Sequence, residues 1–220
     1  MSTSKKINKL RIYFSVLLAV LCISTANANA VETSFHDNFS NATVKPEWTS
    51  PTTSLGINTA PSGQRFLGRA GSNDGLSNDT VVLTLSDVPV EGVAEVTFDV
   101  YVIRSMDGDE AFQFSGIGTT SGAFHLATSF SNLKIPIQPP QSSQSYPWPG
   151  SLPLTGTYRI GNLHYSLVNP SHFSDSTYRL RFRVPYTGDT LILRFRMSGL
   201  QEDITDESWG IDKVDVVIRD

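Results

Sequence analysis

Val93-Ala94-Glu95-Val96-Thr97-Phe98-Asp99-Val100-Tyr101-Val102-Ile103 is the stretch whose reading decides the fold. Val96, Phe98, Val100 and Val102 alternate with Glu95, Thr97, Asp99 and Tyr101. A period of two sorts residues onto the two faces of a β-strand, whereas a helix needs apolar residues every three or four positions. The segment from Asp79 to Leu85 repeats the pattern with Val81, Leu83 and Leu85 on one face. From Tyr178 to Val184, Tyr178, Leu180, Phe182 and Val184 oppose Arg179, Arg181 and Arg183. Thr190 to Met197 follows after Pro185-Tyr186-Thr187-Gly188-Asp189, a turn-like sequence that predicts a hairpin between the two strands.

No window shows a sustained, capped helical period. The expectation is an all-β, antiparallel, jelly-roll-like β-sandwich, with the Val93–Ile103 strand buried and the last strand paired near the N-terminus. Pro136 to Pro153, rich in Pro, Ser and Gln, interrupts the pattern and reads as a loop or edge cover, because proline cannot donate to a ladder.

The start of the chain sets the compartment. Lys5, Lys6, Lys9 and Arg11 precede an apolar run from Tyr13 to Ile23, and Ala28-Asn29-Ala30 is a small-x-small cleavage site. Residues 1–30 therefore read as a secretory signal peptide, too short in its apolar part for a membrane span, and residues 31–220 as one exported β-sandwich domain, periplasmic or extracellular. Cys22 is the only cysteine, so the mature chain forms no disulfide and relies on its core, a metal, or both. Four of the 17 Lys and Arg lie in the signal, leaving 13 against 21 Asp and Glu, a formal charge of −8. An acidic surface disfavours nucleic acid and suits divalent cations or neutral glycans.

Two acidic groups are candidate calcium ligands. Asp107-Gly108-Asp109-Glu110 packs three carboxylates into a glycine-containing turn after the strongest strand, with Asp107 and Asp109 as metal candidates. It lacks the spacing of an EF-hand, and a solvated acidic turn is the plain alternative. Asp206, Glu207 and Asp212 enter and leave a Trp209-Gly210 corner. Carboxylates gathered there repel one another, and calcium, which takes hard oxygen ligands, would convert that repulsion into a cross-link. Asp37, near the mature N-terminus, is a further carboxylate able to approach Asp212 if the end strands pair.

Aromatic residues carry the ligand expectation. Trp148 stands between Pro147 and Pro149, with Tyr146 beside it and Tyr165 further on. Sugar C–H faces pack on such rings. A core role is the alternative for Trp148 and for Trp209. The Arg179, Arg181 and Arg183 face, expected to adjoin Arg194 and Arg196, suits either anionic glycans or cross-strand ion pairs.

Three blocks stand in order: Arg65-Phe66-Leu67-Gly68-Arg69, the strand Val96 to Gly108, and Asp206 to Val214. Together they resemble a group of bacterial exported β-sandwich domains, of jelly-roll, laminin-G-like or carbohydrate-binding-module type. The resemblance covers most of the mature chain and implies fold and compartment more than ligand. Arg104-Ser105-Met106-Asp107-Gly108 stands where the group's pattern reads D-S-W-D-G, and Lys213 where it reads Asn.

Catalytic signatures are missing. There is no G-x-S-x-G elbow, no H-E-x-x-H and no phosphate loop, and His36, His125, His164 and His172 are scattered. Glu202, Asp203, Asp206 and Glu207 lack the alternation that would place a glycosidase pair on one strand face. The chain is expected to be no enzyme but a binding module for glycan or extracellular matrix, with calcium as a structural ion. The alternatives are an adhesive surface domain with protein partners, and a glycan-active enzyme.

Overall fold

The computed structural model describes residues 33–117, 124–134, 143–167, 169–201 and 203–219. The predicted signal peptide lies outside them, as do Glu202 and part of the Pro-rich loop. Twelve strands occur among the described residues: β1 Thr33–Asp37, β2 Trp48–Thr49, β3 Leu55–Thr59, β4 Arg65–Arg69, β5 Thr80–Ser86, β6 Glu91–Arg104, β7 Ala111–Ile117, β8 Phe124–Thr128, β9 Arg159–Ile160, β10 Asp175–Thr187, β11 Thr190–Ser198 and β12 Glu207–Arg219. No helix among them is long and apolar enough to cross a membrane.

The strands form two antiparallel sheets, the β-sandwich that the alternation predicts. One runs β3-β4-β12-β6-β10-β9, with β1 also on β12; the other runs β2-β5-β11-β7-β8. From β5 to β7 and again from β10 to β12 the chain crosses from sheet to sheet at every connection. Val81, Leu83, Val96, Phe98, Val100, Phe112, Phe114, Leu193, Phe195 and Val216 meet between the sheets, where each is fully buried. Phe98 sits among the rings of Phe114, Phe182 and Phe195 at 4.9–5.9 Å between centroids. Strand β6 is central, flanked by β10 and β12, and β1 pairs with the second half of β12, Thr33 opposite Ile218.

The hairpin expected between Tyr178–Val184 and Thr190–Met197 does not form. Strand β10 pairs with β6 and β9 in one sheet, while β11 pairs with β5 and β7 in the other. The Gly188–Asp189 turn is instead an arch between sheets. It hydrogen-bonds to the parallel arch of the β5–β6 link, through Gly188 N to Val90 O and Val88 N to Asp189 O. Each strand offers one apolar face, which satisfies either arrangement, so the pattern alone does not separate hairpin from arch. Arg194 and Arg196 consequently do not adjoin Arg179, Arg181 and Arg183. The latter face lies on the other sheet and takes the cross-strand alternative: Arg179 grips the buried Asp99 at 2.7 and 2.9 Å, and Arg181 reaches Glu95 at 2.8 Å.

Trp209-Gly210 is not a corner. Both residues lie inside β12, with Trp209 opposite Val102 and Gly210 opposite Tyr101. Trp209 is buried in the core, and its indole N–H donates to Ser77 O. Gly210 faces the other way, against the Phe66 ring, where a Cβ would stand 2.4 Å from the nearest ring carbon. The strand's irregularity comes later, a register shift between Asp212 and Asp215, with Lys213 at φ 50°.

Candidate functional site

The connection from β6 to β7 and the first residue of β12 meet at one edge of the sandwich. Arg104 ends β6 opposite Glu207, which opens β12. Ser105 then donates from its backbone N–H to Asp206 O and from its hydroxyl to the Asp206 carboxylate. Asn132 is fully buried and fastens the same turn, donating its amide to Val102 O and Arg104 O and receiving at its own oxygen the Ser176 hydroxyl. Gly108, at φ 108°, closes the turn, and its N–H donates to a Glu110 carboxylate oxygen at 3.1 Å.

This folding puts Asp107, Glu110 and Glu207 together, one oxygen from each lying within 4.8 Å of the others. Asp107 is exposed at the mouth, while Glu110 and Glu207 are 2% and 6% exposed. No described ion pair reaches any of the three. Burial, followed by the nearby Glu207 charge, pushes Glu110 up to about 9. Burial and the Asp107 charge push Glu207 up to about 7, and burial and Asp109 also raise Asp107. Two buried carboxylates without a cation partner, open through a third to solvent, are a donor set that fits a divalent ion with hard oxygen preferences.

The two acidic groups read separately in the sequence thus converge, through Asp107 and Glu207. Glu110 is the member overlooked, yet it falls on the same alternation as Phe112 and Phe114, the inward face of β7. Asp206, Asp212 and Asp37 have other partners, while Asp109 neighbours Asp107. Asp109 is outside the triad, and Asp206 accepts from Ser105. Asp212, fully buried and raised to about 6 by burial, accepts from Tyr101 Oη at 2.6 Å, Gln64 Nε2 at 3.0 Å and Lys213 N at 2.8 Å. Asp37, which the sequence placed near Asp212, has partners of its own: its oxygens accept from Phe39 N and Trp48 Nε1, both at 3.0 Å.

A strip of surface leads away from the triad. Gly108, Asp109, Glu110, Ala127, Thr128 and Ser145 line one shallow depression, and Ala127, Thr128, Ser145, Tyr146, Pro147, Pro149 and Arg181 line the next, of about 280 Å³. Between Pro147 and Pro149 of that lining stands Trp148, 63% exposed, whose carbonyl accepts from Ser151 N and Oγ. Tyr146 is half-buried against Phe130 and Tyr178, so only one side of its ring lines the depression. Tyr165 is not a surface platform. It is buried in a small second core, its hydroxyl donates to Asn73 O, and the Arg104 guanidinium covers its ring at 4.9 Å.

Fold and site define a two-sheet β-sandwich with an acidic, ion-competent edge and an exposed tryptophan tip. No protein-family description and no curated protein matches the sequence. Solved structures of similar shape include the K1 cleaved adhesin domain of Lys-gingipain from Porphyromonas gingivalis W83, at 10% identity, covering 84% of this chain and 97% of that one, with a TM-score of 0.42. TmCBM61 in complex with β-1,4-galactotriose matches at 10% identity over 84% and 95% with a TM-score of 0.43. The mannan-recognising carbohydrate-binding module TmCBM27 matches at 13% over 88% and 100% with a TM-score of 0.42. Likeness at that level does not carry a ligand from one protein to another.

Proposed function

We propose that this chain is an exported binding module for a glycan or another extracellular surface component, with calcium as a structural ion at its edge. The observation that carries this reading is the pair of adjoining depressions that run from Glu110 of the triad past Ala127, Thr128 and Ser145 to Pro147 and Pro149, the prolines that flank the exposed Trp148. Calcium at the triad would bind the β6–β7 turn to the start of β12, so the floor of the strip is set before ligand arrives. A large aromatic ring left open between two prolines presents a rigid apolar face at low entropic cost. The exposed Arg181 guanidinium, which gives one N–H to Glu95, keeps further donors of the kind that sugar hydroxyls need.

Glu207 belongs to the triad and Asp206 accepts from the Ser105 hydroxyl, so these two do not face each other as a free carboxylate pair. An adhesive role with protein partners is the second reading. Leu152, Tyr158, Ile160 and Leu167, all large and exposed, follow Trp148 in the chain. Calorimetric titration of wild type and Trp148→Ala against a panel of neutral glycans separates the two. The proposal expects a wild-type ligand whose affinity falls at least about tenfold, or 1.4 kcal/mol, in the variant. A wild type that binds no glycan, or a variant that binds as well, overturns it.

A further inference from the structure

The outer face of the second sheet carries a groove of about 640 Å³, lined by Thr49, Ser50, Thr80, Gln113, Ser115 and the pair Arg194 and Arg196, with Pro51 and Val82 as apolar spots. Strand register builds it in rungs. Thr49, Val82, Arg194 and Ser115 lie side by side across four strands, and Thr80, Arg196 and Gln113 form the next rung. The two arginines are two residues apart on one face of β11, so their stems rise about 6.6 Å apart. Both are exposed, and neither has a described hydrogen bond or ion pair. That sets them apart from Arg69, Arg104, Arg179 and Arg181, each of which pairs with an Asp or Glu.

From this face we infer a second binding site, for a short oligosaccharide bearing carboxylates, such as a uronic acid oligomer. Each guanidinium can take one carboxylate through two parallel N–H bonds, and a Lys could not reproduce that geometry. The hydroxyls of Thr49, Thr80 and Ser115 and the Gln113 amide stand in the same rungs, where they can exchange hydrogen bonds with ring hydroxyls. An acidic peptide would use the arginines but would leave that hydroxyl ladder to water. The groove volume lies within the usual range for a small-molecule site, about 300–1,000 Å³. Its described lining includes no aromatic ring, so neutral sugars find nothing among those residues to stack upon. The net negative charge of the chain opposes long polyanions at a distance, which favours an oligomer over a polymer. The inference does not rest on the Trp148 reading, since it uses a different face and different strands.

Calorimetric titration with trigalacturonate, the uncharged galactose trimer and a triglutamate peptide tests it. Arg194→Gln/Arg196→Gln is the test variant, and Arg159→Gln/Arg183→Gln removes the same charge from the other sheet. Wild type and the control variant should bind trigalacturonate, with affinity falling as salt rises, and bind the other two at least tenfold more weakly. The test variant should lose at least tenfold in affinity for trigalacturonate while melting within a degree or two of wild type. No trigalacturonate binding by wild type, equal binding of triglutamate, or equal loss in the control variant overturns the proposal. The neutral-glycan titration with Trp148→Ala reads the other site alone, so the two can fail independently.

Discussion

Glu110, the residue just before β7, and Glu207, which opens β12, hold carboxylate oxygens within 4.8 Å of each other in a pocket nearly closed to solvent. Two like charges brought so close must share a proton or a cation. The pH dependence tells which. In the metal-free chain both groups sit above their unfolded values near 4.5, Glu207 at about 7 and Glu110 at about 9. A raised carboxyl makes its full contribution to stability below the unfolded value, and that contribution is lost as pH rises through the folded values. Melting in chelator should therefore weaken from pH 5 through 9. With calcium the trend opposes this loss, because the ion needs the ionised form and its stabilisation grows over the same window. Identical pH profiles with and without calcium would count against the ion.

Gly210 lies in β12 against the Phe66 ring of β4. Gly210→Ala drives a methyl group toward the Phe66 ring at 2.4 Å, which is overpacking and should cost about 1–3 kcal/mol. A compensating Gly210→Ala/Phe66→Leu double variant should recover part of the loss, as contacting residues couple. Urea unfolding measures both. A single variant as stable as wild type would mean that β12 and β4 shift apart freely.

Asp99 is buried and held by Arg179 through two hydrogen bonds, with Lys213 at 3.7 Å as a lesser partner. Arg179→Met leaves a buried charge half-compensated and should destabilise by about 3 kcal/mol. Asp99→Asn/Arg179→Met should be milder than the single change. Equal losses in the two variants, measured by chemical unfolding, would show that the effect is packing of the arginine stem.

The sandwich was legible because strands such as β5 and β6 alternate with little interruption, and one face of each is apolar. The expected pairing of the last strand near the N-terminus is also met, with β1 on β12. What escaped was which sheet each strand joins: the same alternation in β10 and β11 serves a hairpin or an arch, and only the Gly188–Asp189 bonds to the β5–β6 link decide. At the candidate site, Asp107 and Glu207 were visible as acidic residues, but their meeting depends on long-range register. Glu110 carried a local signal, its parity with Phe112, that a reading of charges alone passes over. The groove around Arg194 and Arg196 depends on four strands aligning, which no single segment announces.

The most direct test of the central claim is the thermal midpoint of the chain, stripped of metal and then titrated with calcium, beside Glu110→Gln/Glu207→Gln. An ion bound only by the folded state adds about 2.7 kcal/mol at a hundredfold excess over its Kd. For a domain of this size that is a rise of about 5–10 °C. The wild type should show that rise with calcium and a smaller one with magnesium, whose stricter octahedral demand suits a protein cage less well. The double variant, relieved of its buried charges, should melt at one temperature with or without calcium. A wild-type midpoint that calcium does not move would contradict the account and leave Glu110 and Glu207 as a proton-sharing pair.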